Sequence, residues 1–311
     1  ISSKTGEFTS FADALFTSTS AVCVTGLIVF DTATCWSLFG QFVIMLLIEI
    51  GGMGVITVAA SFAMIAGRKI SLMQRSTMQE AIAAPKVGGI VRLTIFVIKA
   101  TLMIELLGAV AMSPVFCRDF GIKGLWMALF HSVSAFCNAG FDLMGVKSPF
   151  SSLTLYAGEP LINFPIMLLI IIGGIGFLTW DDIRANRFHI HKYRMQSKVI
   201  LSTTAILILV PALYFYFFEF SDLGLKERVL SSLFQSVTPR TAGFNTVDLT
   251  SMSEAGQFIT IILMLIGGSP GSTAGGMKTT TIAVLFAIAI ATFRRREDAN
   301  FFGRRMNGDV I

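Results

Sequence analysis

Ser232-Leu233-Phe234-Gln235-Ser236-Val237-Thr238-Pro239-Arg240-Thr241-Ala242-Gly243-Phe244 is a short amphipathic run that closes on hydroxyl residues, a proline and a glycine. Two other stretches align with it. Ala14-Leu15-Phe16 leads through Thr17 to Thr25 and on to Gly26-Leu27. Ala128-Leu129-Phe130 leads through His131-Ser132-Val133-Ser134-Ala135-Phe136-Cys137-Asn138-Ala139 to Gly140-Phe141. Phe to Gly is ten residues in these two copies and nine in the first quoted, and the glycines lie 114 and then 103 residues apart. Each copy precedes a long apolar stretch. One Phe-to-Gly run of this kind reads as an ordinary loop with a glycine turn. Three, in matching register, read as an internal repeat.

The physics of the repeated element restricts its use. A helix of about ten residues is half the length that a bilayer core demands, about 20 apolar residues. It is expected to be re-entrant, which is tolerated at membrane depth only where the backbone is buried in protein or lines water. The small and hydroxyl residues that follow, ending in glycine, suit a backbone that must turn its carbonyls to one side. A half-helix aiming its partially negative C-terminus inward favours a cation, and selective cation pores replace hydration water with rings of carbonyls.

The surrounding sequence fits that reading. The chain is 54% hydrophobic and 14% charged, with a mean hydropathy of +0.74. A soluble domain has about 25% charged residues, so the natural solvent is a bilayer. Five stretches are expected to span it: 38–66, 90–112, 160–180, 199–218 and 257–293. Tyr214-Phe215-Tyr216-Phe217-Phe218 reads as an interfacial aromatic anchor. Basic residues fall in three connecting segments: Arg68, Lys69, Arg75, Lys86 and Arg92; Arg184, Arg187, Lys192, Arg194 and Lys198; and Arg294, Arg295, Arg296, Arg304 and Arg305. The segments 113–124, 142–159 and 219–228 hold few. The first set is assigned to the cytoplasmic side, which also accounts for the net charge of +5 without nucleic acid as a partner. The four Cys, at 23, 35, 117 and 137, form no C-x-x-C pair, and neither a metal site nor a disulfide framework is read from them. No cofactor is implied.

The last stretch is interrupted. Two apolar halves flank Gly267-Gly268-Ser269-Pro270-Gly271-Ser272-Thr273-Ala274-Gly275-Gly276-Met277-Lys278. Proline and this density of glycine do not hold a helix, and the break is read as a functional loop beneath the third repeat. Lys278 either opposes cations near the path or snorkels to the interface. Gly51-Gly52-Met53-Gly54 and Gly173-Gly174-Ile175-Gly176 are paler echoes, read as close helix packing through small residues. Glu49, Lys99 and Glu105 are charges inside apolar stretches, for which interhelical pairing is expected. Arg240 is expected to point behind its loop and brace it through backbone carbonyls or an acidic residue.

Cys23-Val24-Thr25-Gly26-Leu27, Cys137-Asn138-Ala139-Gly140-Phe141 and Thr238-Pro239-Arg240-Thr241-Ala242-Gly243-Phe244-Asn245-Thr246 resemble the pore loops of the Trk/Ktr/HKT potassium transporter superfamily, most of all its bacterial Ktr membrane subunits. The resemblance runs over essentially the whole chain. It implies an all-α polytopic membrane protein of repeated helix–pore loop–helix units around a central pore, in a bacterial plasma membrane. Four units are implied. Here 1–89 holds a first unit without its outer helix, 90–196 a second, and 197–311 a third with a broken second helix, so the chain is expected to be a fragment lacking the fourth. Potassium would be the transported ion, with no catalysis and no further metal. The selectivity filter would comprise Cys23, Val24, Thr25, Gly26, Cys137, Asn138, Ala139, Gly140, Thr241, Ala242 and Gly243. Residues 267–278 would be the gating loop and Arg240 a filter support. A homodimer on a cytosolic nucleotide-binding regulatory subunit is also implied.

Other readings were open from residues alone. Asp181-Asp182 with Arg184, Arg187, His189 and His191 at a membrane edge would suit an enzyme binding Mg²⁺ and a lipid phosphate. A secondary transporter shares the broken helix but not three loops on one side. A structural scaffold has no use for them.

Overall fold

A computed structural model describes residues 3–4, 9–55, 57–59, 62, 71–82, 89–187, 189–295, 300–301 and 304–305. Arg68, Lys69, Lys86 and Arg296 lie outside the described residues, as does part of the 38–66 stretch. The elements are helical apart from a two-residue ladder pairing Asn300–Phe301 with Arg304–Arg305.

The first unit has a short helix α1 (Phe11–Val22), begun by the Ser10 side chain accepting from the Asp13 amide, and a longer α2 (Leu38–Met53), capped in the same way by Ser37. α2 stops where Gly54 turns left-handed, at φ +83°. A helix α3 (Leu72–Ile82) follows. The second unit is α4 (Ile90–Phe120), the short α5 (Lys123–Phe136) and α6 (Pro160–Gly174), which starts on a proline where a missing amide does no harm. A further helix α7 (Phe177–Asn186) leads to the third unit. That unit comprises α8 (Met195–Tyr214), the short α9 (Leu225–Val237), α10 (Glu254–Leu265) and α11 (Thr279–Phe293).

Among the described residues two straight helical segments are long and apolar enough to cross a membrane, Ile90–Phe120 and Met195–Glu219, whose most apolar 18-residue windows have mean hydropathies of 2.0 and 2.1. Leu102, Met103, Leu106, Leu107 and Val110 form an apolar stripe on α4 that no other described element covers. That suits lipid or another subunit. The π-helical turn Phe215–Glu219 ends the second segment, with Phe217 and Phe218 exposed and Phe215 buried, the arrangement an interfacial anchor needs.

The expected span 160–180 is not one straight helix. α6 and α7 meet at 97° across Ile175 and Gly176, with Gly176 at φ +87°. Close packing is only part of what these glycines do: a Cβ on Gly173 would sit 2.1 Å from the Phe136 carbonyl oxygen, but the run also bends the chain. At Gly51 and Gly52 close packing holds, since Cβ atoms there would lie 2.0 Å from the Val22 oxygen and 2.5 Å from Cys137 Sγ.

The units are joined by a recurring contact. Within a unit the short helix packs on its neighbours, α1 on α2, α5 on α4 and α6, α9 on α8 and α10. Between units the helix after one loop packs on the next short helix, α2 on α5 and α6 on α9. This repeated step carries the three loops around a common centre.

Candidate functional site: three convergent loops over a broken helix

The short helices α1, α5 and α9 end in the same backbone pattern. A left-handed residue is followed two positions on by a left-handed glycine in each case: Val24 (φ 56°) and Gly26 (φ 76°), Asn138 (φ 58°) and Gly140 (φ 72°), Thr241 (φ 72°) and Gly243 (φ 83°). A left-handed L-residue costs about 1–2 kcal/mol. Paying it at the same register three times marks a strained backbone kept for use. Hydroxyl groups hold each turn. Thr25 Oγ1 donates to Ser20 Oγ at 2.8 Å, Ser134 Oγ to the Phe141 carbonyl at 2.7 Å, and Thr238 Oγ1 to the Phe244 carbonyl at 2.6 Å.

The loops touch through backbone. A Cβ on Gly26 would fall 2.4 Å from the Ala139 carbonyl oxygen, and one on Gly140 would fall 2.2 Å from the Ala242 oxygen. The second loop therefore lies between the other two. Cys137, Asn138 and Ala139 are buried, as is Ala242, whereas Cys23, Thr25 and Gly243 are exposed. The structure thus brings together all three loops that the repeat analysis singled out.

Behind the second loop, His131 is fully buried. Its Nε2 accepts from the Leu143 amide at 3.2 Å and its Nδ1 lies 2.7 Å from the Met127 carbonyl oxygen, so the ring carries its proton on Nδ1. Asp31, in the segment after the first loop, accepts from the Phe150 amide at 3.1 Å and ties the first unit to the second. Half-buried Asp142 follows the second loop, and burial pushes its carboxyl up to about 6, with Asp31 adding to the rise. An acid with a raised native pKa contributes stability below its unfolded pKa, about 3.9, and loses it as pH climbs through the native value. Asp142→Asn is expected to melt higher than the parent at pH 8 and level with it near pH 4, by thermal unfolding in detergent.

The broken segment docks directly under these loops. The Gly267 amide donates to the Met277 carbonyl at 3.0 Å and the Gly268 amide to Gly275 at 3.1 Å, closing residues 267–277 into a loop. It seats in the α6–α7 bend: the Ser269 amide donates to the Gly174 carbonyl at 2.9 Å, and the Phe177 amide to Gly271 at 2.8 Å. Thr273 Oγ1 donates to the Phe136 carbonyl at 2.9 Å and accepts from Asn138 Nδ2 at 2.8 Å, so one hydroxyl holds the loop to the second turn. Pro270, Gly271, Ser272 and Gly276 complete the turns, and a Cβ on Gly276 would lie 3.4 Å from the Thr241 methyl. Lys278 is half-buried and its Nζ donates to the Ala274 carbonyl at 2.9 Å, closing the loop from its end. Arg240 is 6% exposed, and its Nη2 donates to the Gly267 carbonyl at 3.4 Å. Its tie therefore runs to the broken segment, and among the described residues no acidic group pairs with it. Asn138, Arg240, Gly268 and Ala274 share the wall of a small cavity between the loops and the broken segment.

One expectation and one alternative reading need correction. Of the three charges expected to pair between helices, Lys99 is exposed and forms no ion pair among the described residues. Glu49 and Glu105 do meet across helices, with each other and with Cys137, within 4.8 Å. Positions 49, 105 and 137 carry no spacing signal, and only the packing of three helices unites them. The acidic pair proposed for Mg²⁺ is occupied otherwise: Asp182 accepts from Ser197 Oγ at 2.6 Å and from the Arg194 amide at 3.0 Å, and Asp181 pairs with the Arg194 guanidinium at 3.3 Å.

Fold and site define an all-helical membrane protein of repeated units, each placing a short helix and a strained loop at one centre. Residues 2–311 match the sequence model of TrkH, described as a cation transport protein, and the chain belongs to that family. It is 44% identical over 316 residues to the potassium/sodium uptake protein NtpJ of Enterococcus hirae, covering 99% of this chain and 68% of that protein. It is 40% identical over 309 residues to the Ktr system potassium uptake protein B of Bacillus subtilis, covering 97% of this chain and 68% of that one. The crystal structure of the potassium transporter TrkH from Vibrio parahaemolyticus superposes with a TM-score of 0.69 at 23% identity, over 96% of this chain and 60% of that chain, a likeness of fold. The chain thus spans about two thirds of these relatives or less. The family is one of transporters, not enzymes.

Proposed function

We propose that this chain supplies three of four pore-loop units of a potassium-uptake subunit. The observation that carries the reading is the convergence of three identically strained turns through backbone contacts at Gly26 and Gly140. Carbonyls of residues 23–26, 137–140 and 241–243 would replace the hydration water of K⁺, and a fourth loop beside Gly243 would close the ring. The units correspond to 1–89, 90–196 and 197–311. Residues 267–278 act as the intramembrane gate, and Arg240 holds the third loop to it. The names of the relatives, a potassium/sodium uptake protein and a Ktr system potassium uptake protein of bacteria, support K⁺ as a substrate, a bacterial plasma membrane as location and, from the Ktr system, a cytosolic regulatory partner. By the same resemblance the working unit is a homodimer.

The test is ⁸⁶Rb⁺ uptake into liposomes containing the protein with its fourth unit. Uptake suppressed by K⁺ far more than by Na⁺ is the expected result. No uptake, or equal suppression by both ions, would end the potassium reading in favour of a transporter with a midplane site. The gate assignment has its own check. Thr273→Val removes a donor to Phe136 and an acceptor for Asn138, each bond being worth about 1 kcal/mol. Uptake in the variant is expected to rise about fivefold or more as the loop loosens, whereas an unchanged rate would make the contact structural.

A further inference from the structure

Glu49 on α2, Glu105 on α4 and Cys137 at the end of α5 meet behind the second loop, with one donor atom from each lying within 4.8 Å of the others. Cys137 is fully buried, Glu105 is 3% exposed, and the thiol lies 3.5 Å from Glu49 Oε2. Oε1 of both glutamates lacks a hydrogen-bond partner among the described residues, and no basic side chain there forms an ion pair with either. Two carboxylates so close in a low-dielectric interior do not both ionise without a neutralising cation. Buried charges are paired or bind metal, and among the described residues the two glutamates have only each other and the Cys137 thiol, with no basic partner.

The donor set points to one class of ion. A thiolate with carboxylates selects thiophilic or borderline cations, whereas Ca²⁺ and Mg²⁺ take all-oxygen shells. Zn²⁺ binds Cys sulfur at about 2.3 Å and carboxylate oxygen at about 2.0–2.2 Å, so donors already this near need only side-chain adjustment. The supporting backbone is closely packed. A Cβ on Gly52 would lie 2.5 Å from Cys137 Sγ, so α2 walls the thiol. Ser132 Oγ donates to the Glu105 carbonyl at 2.6 Å and pins α4 to α5.

We propose that Glu49, Glu105 and Cys137 form a binding site for one thiophilic divalent cation of the Zn²⁺ or Cd²⁺ class, directly behind the second loop. On binding, the thiol proton and the proton held between the two carboxyl groups leave to solvent while one metal–sulfur and two metal–oxygen bonds form, so affinity rises with pH. Cys137 opens the turn that contains Gly140, and its neighbour Asn138 holds Thr273. An occupied site therefore ties this turn to α2 and α4, and under the transport reading it slows uptake. The binding itself does not depend on that reading.

Cd²⁺ titrated into the purified protein in detergent, followed by the cadmium–thiolate charge-transfer band and by bound metal, tests the site without any flux measurement. The expected result is one Cd²⁺ per chain, with the band lost in Cys137→Ser and retained in a Cys35→Ser/Cys117→Ser double variant. Glu105→Gln keeps the thiol and guards against a misfolded Cys137 variant. It is expected to weaken binding by more than the roughly 10–100-fold that loss of an outer-shell partner costs. A parent that binds no Cd²⁺, a band that survives Cys137→Ser, or an affinity unmoved in monodisperse Glu105→Gln overturns the proposal.

Discussion

Gly140→Ala is expected to abolish potassium-selective uptake while the protein still assembles in the membrane. Gly140 sits at φ +72°, and its new methyl would lie 2.2 Å from the Ala242 carbonyl oxygen. That obstacle is backbone of the neighbouring loop, which cannot swing aside like a side chain. Left-handed strain of about 1–2 kcal/mol adds to overpacking of about 1–3 kcal/mol. Relief comes only by pushing the second and third loops apart, which widens the ring that must fit a dehydrated ion. A loss of well over tenfold in ⁸⁶Rb⁺ uptake is expected, with K⁺ and Na⁺ suppressing the remainder alike. Gly243→Ser is the internal comparison. At φ +83° it carries similar strain, but its nearest described contact is 3.9 Å away, so its effect is expected to be smaller. Undiminished, selective uptake by Gly140→Ala would mean that the three turns do not form the filter.

Arg240→Gln should have the next largest effect. A buried guanidinium with no acidic partner among the described residues is unfavourable to the fold, and one with a single carbonyl contact at 3.4 Å is poorly compensated. Such a residue is kept for what it holds. It lies between the third loop and Gly267, and at 3.4 Å its bond is longer than the usual N–H···O contact, so what it supplies is position rather than net stability. Uptake is expected to fall about tenfold or more, and discrimination of K⁺ from Na⁺ to narrow. Thermal stability should hold or rise, because a poorly compensated buried charge is gone. Arg240→Lys keeps the charge without the planar fork and is expected to fall between the two. Parent-like flux and selectivity in Arg240→Gln would remove Arg240 from any supporting role.

Part of this site was legible in the chain because its signal is repetition. The loops at 23–26, 137–140 and 241–243 announce themselves by a shared register of Phe, hydroxyl residues and Gly. The interruption at 267–278 announces itself by proline and glycine inside an apolar stretch. The bend at Gly176 was less legible. Gly173-Gly174-Ile175-Gly176 serves equally for close packing or for a turn, and the choice falls to the broken segment, whose Ser269 amide takes the Gly174 carbonyl. Lys99 misled for a related reason: charge in a span calls for a partner, but the sequence does not say which face of the helix a residue takes, and Lys99 is exposed while Glu105 meets Glu49.

The sequence by itself determined the solvent, the class of fold, the three loops and the break. Each is local: hydropathy over about 20 residues, a repeated strained turn, or residues that cannot be helical. Tertiary structure alone decided what those pieces touch. It set the second loop between the other two, bent α6 from α7 by 97°, aimed Arg240 at Gly267, hung the broken segment from Asn138 through Thr273, and closed Glu49, Glu105 and Cys137 into one cluster. These depend on the rotation of one helix against another, and that is settled by close packing across units far apart in the chain, where no periodicity records it.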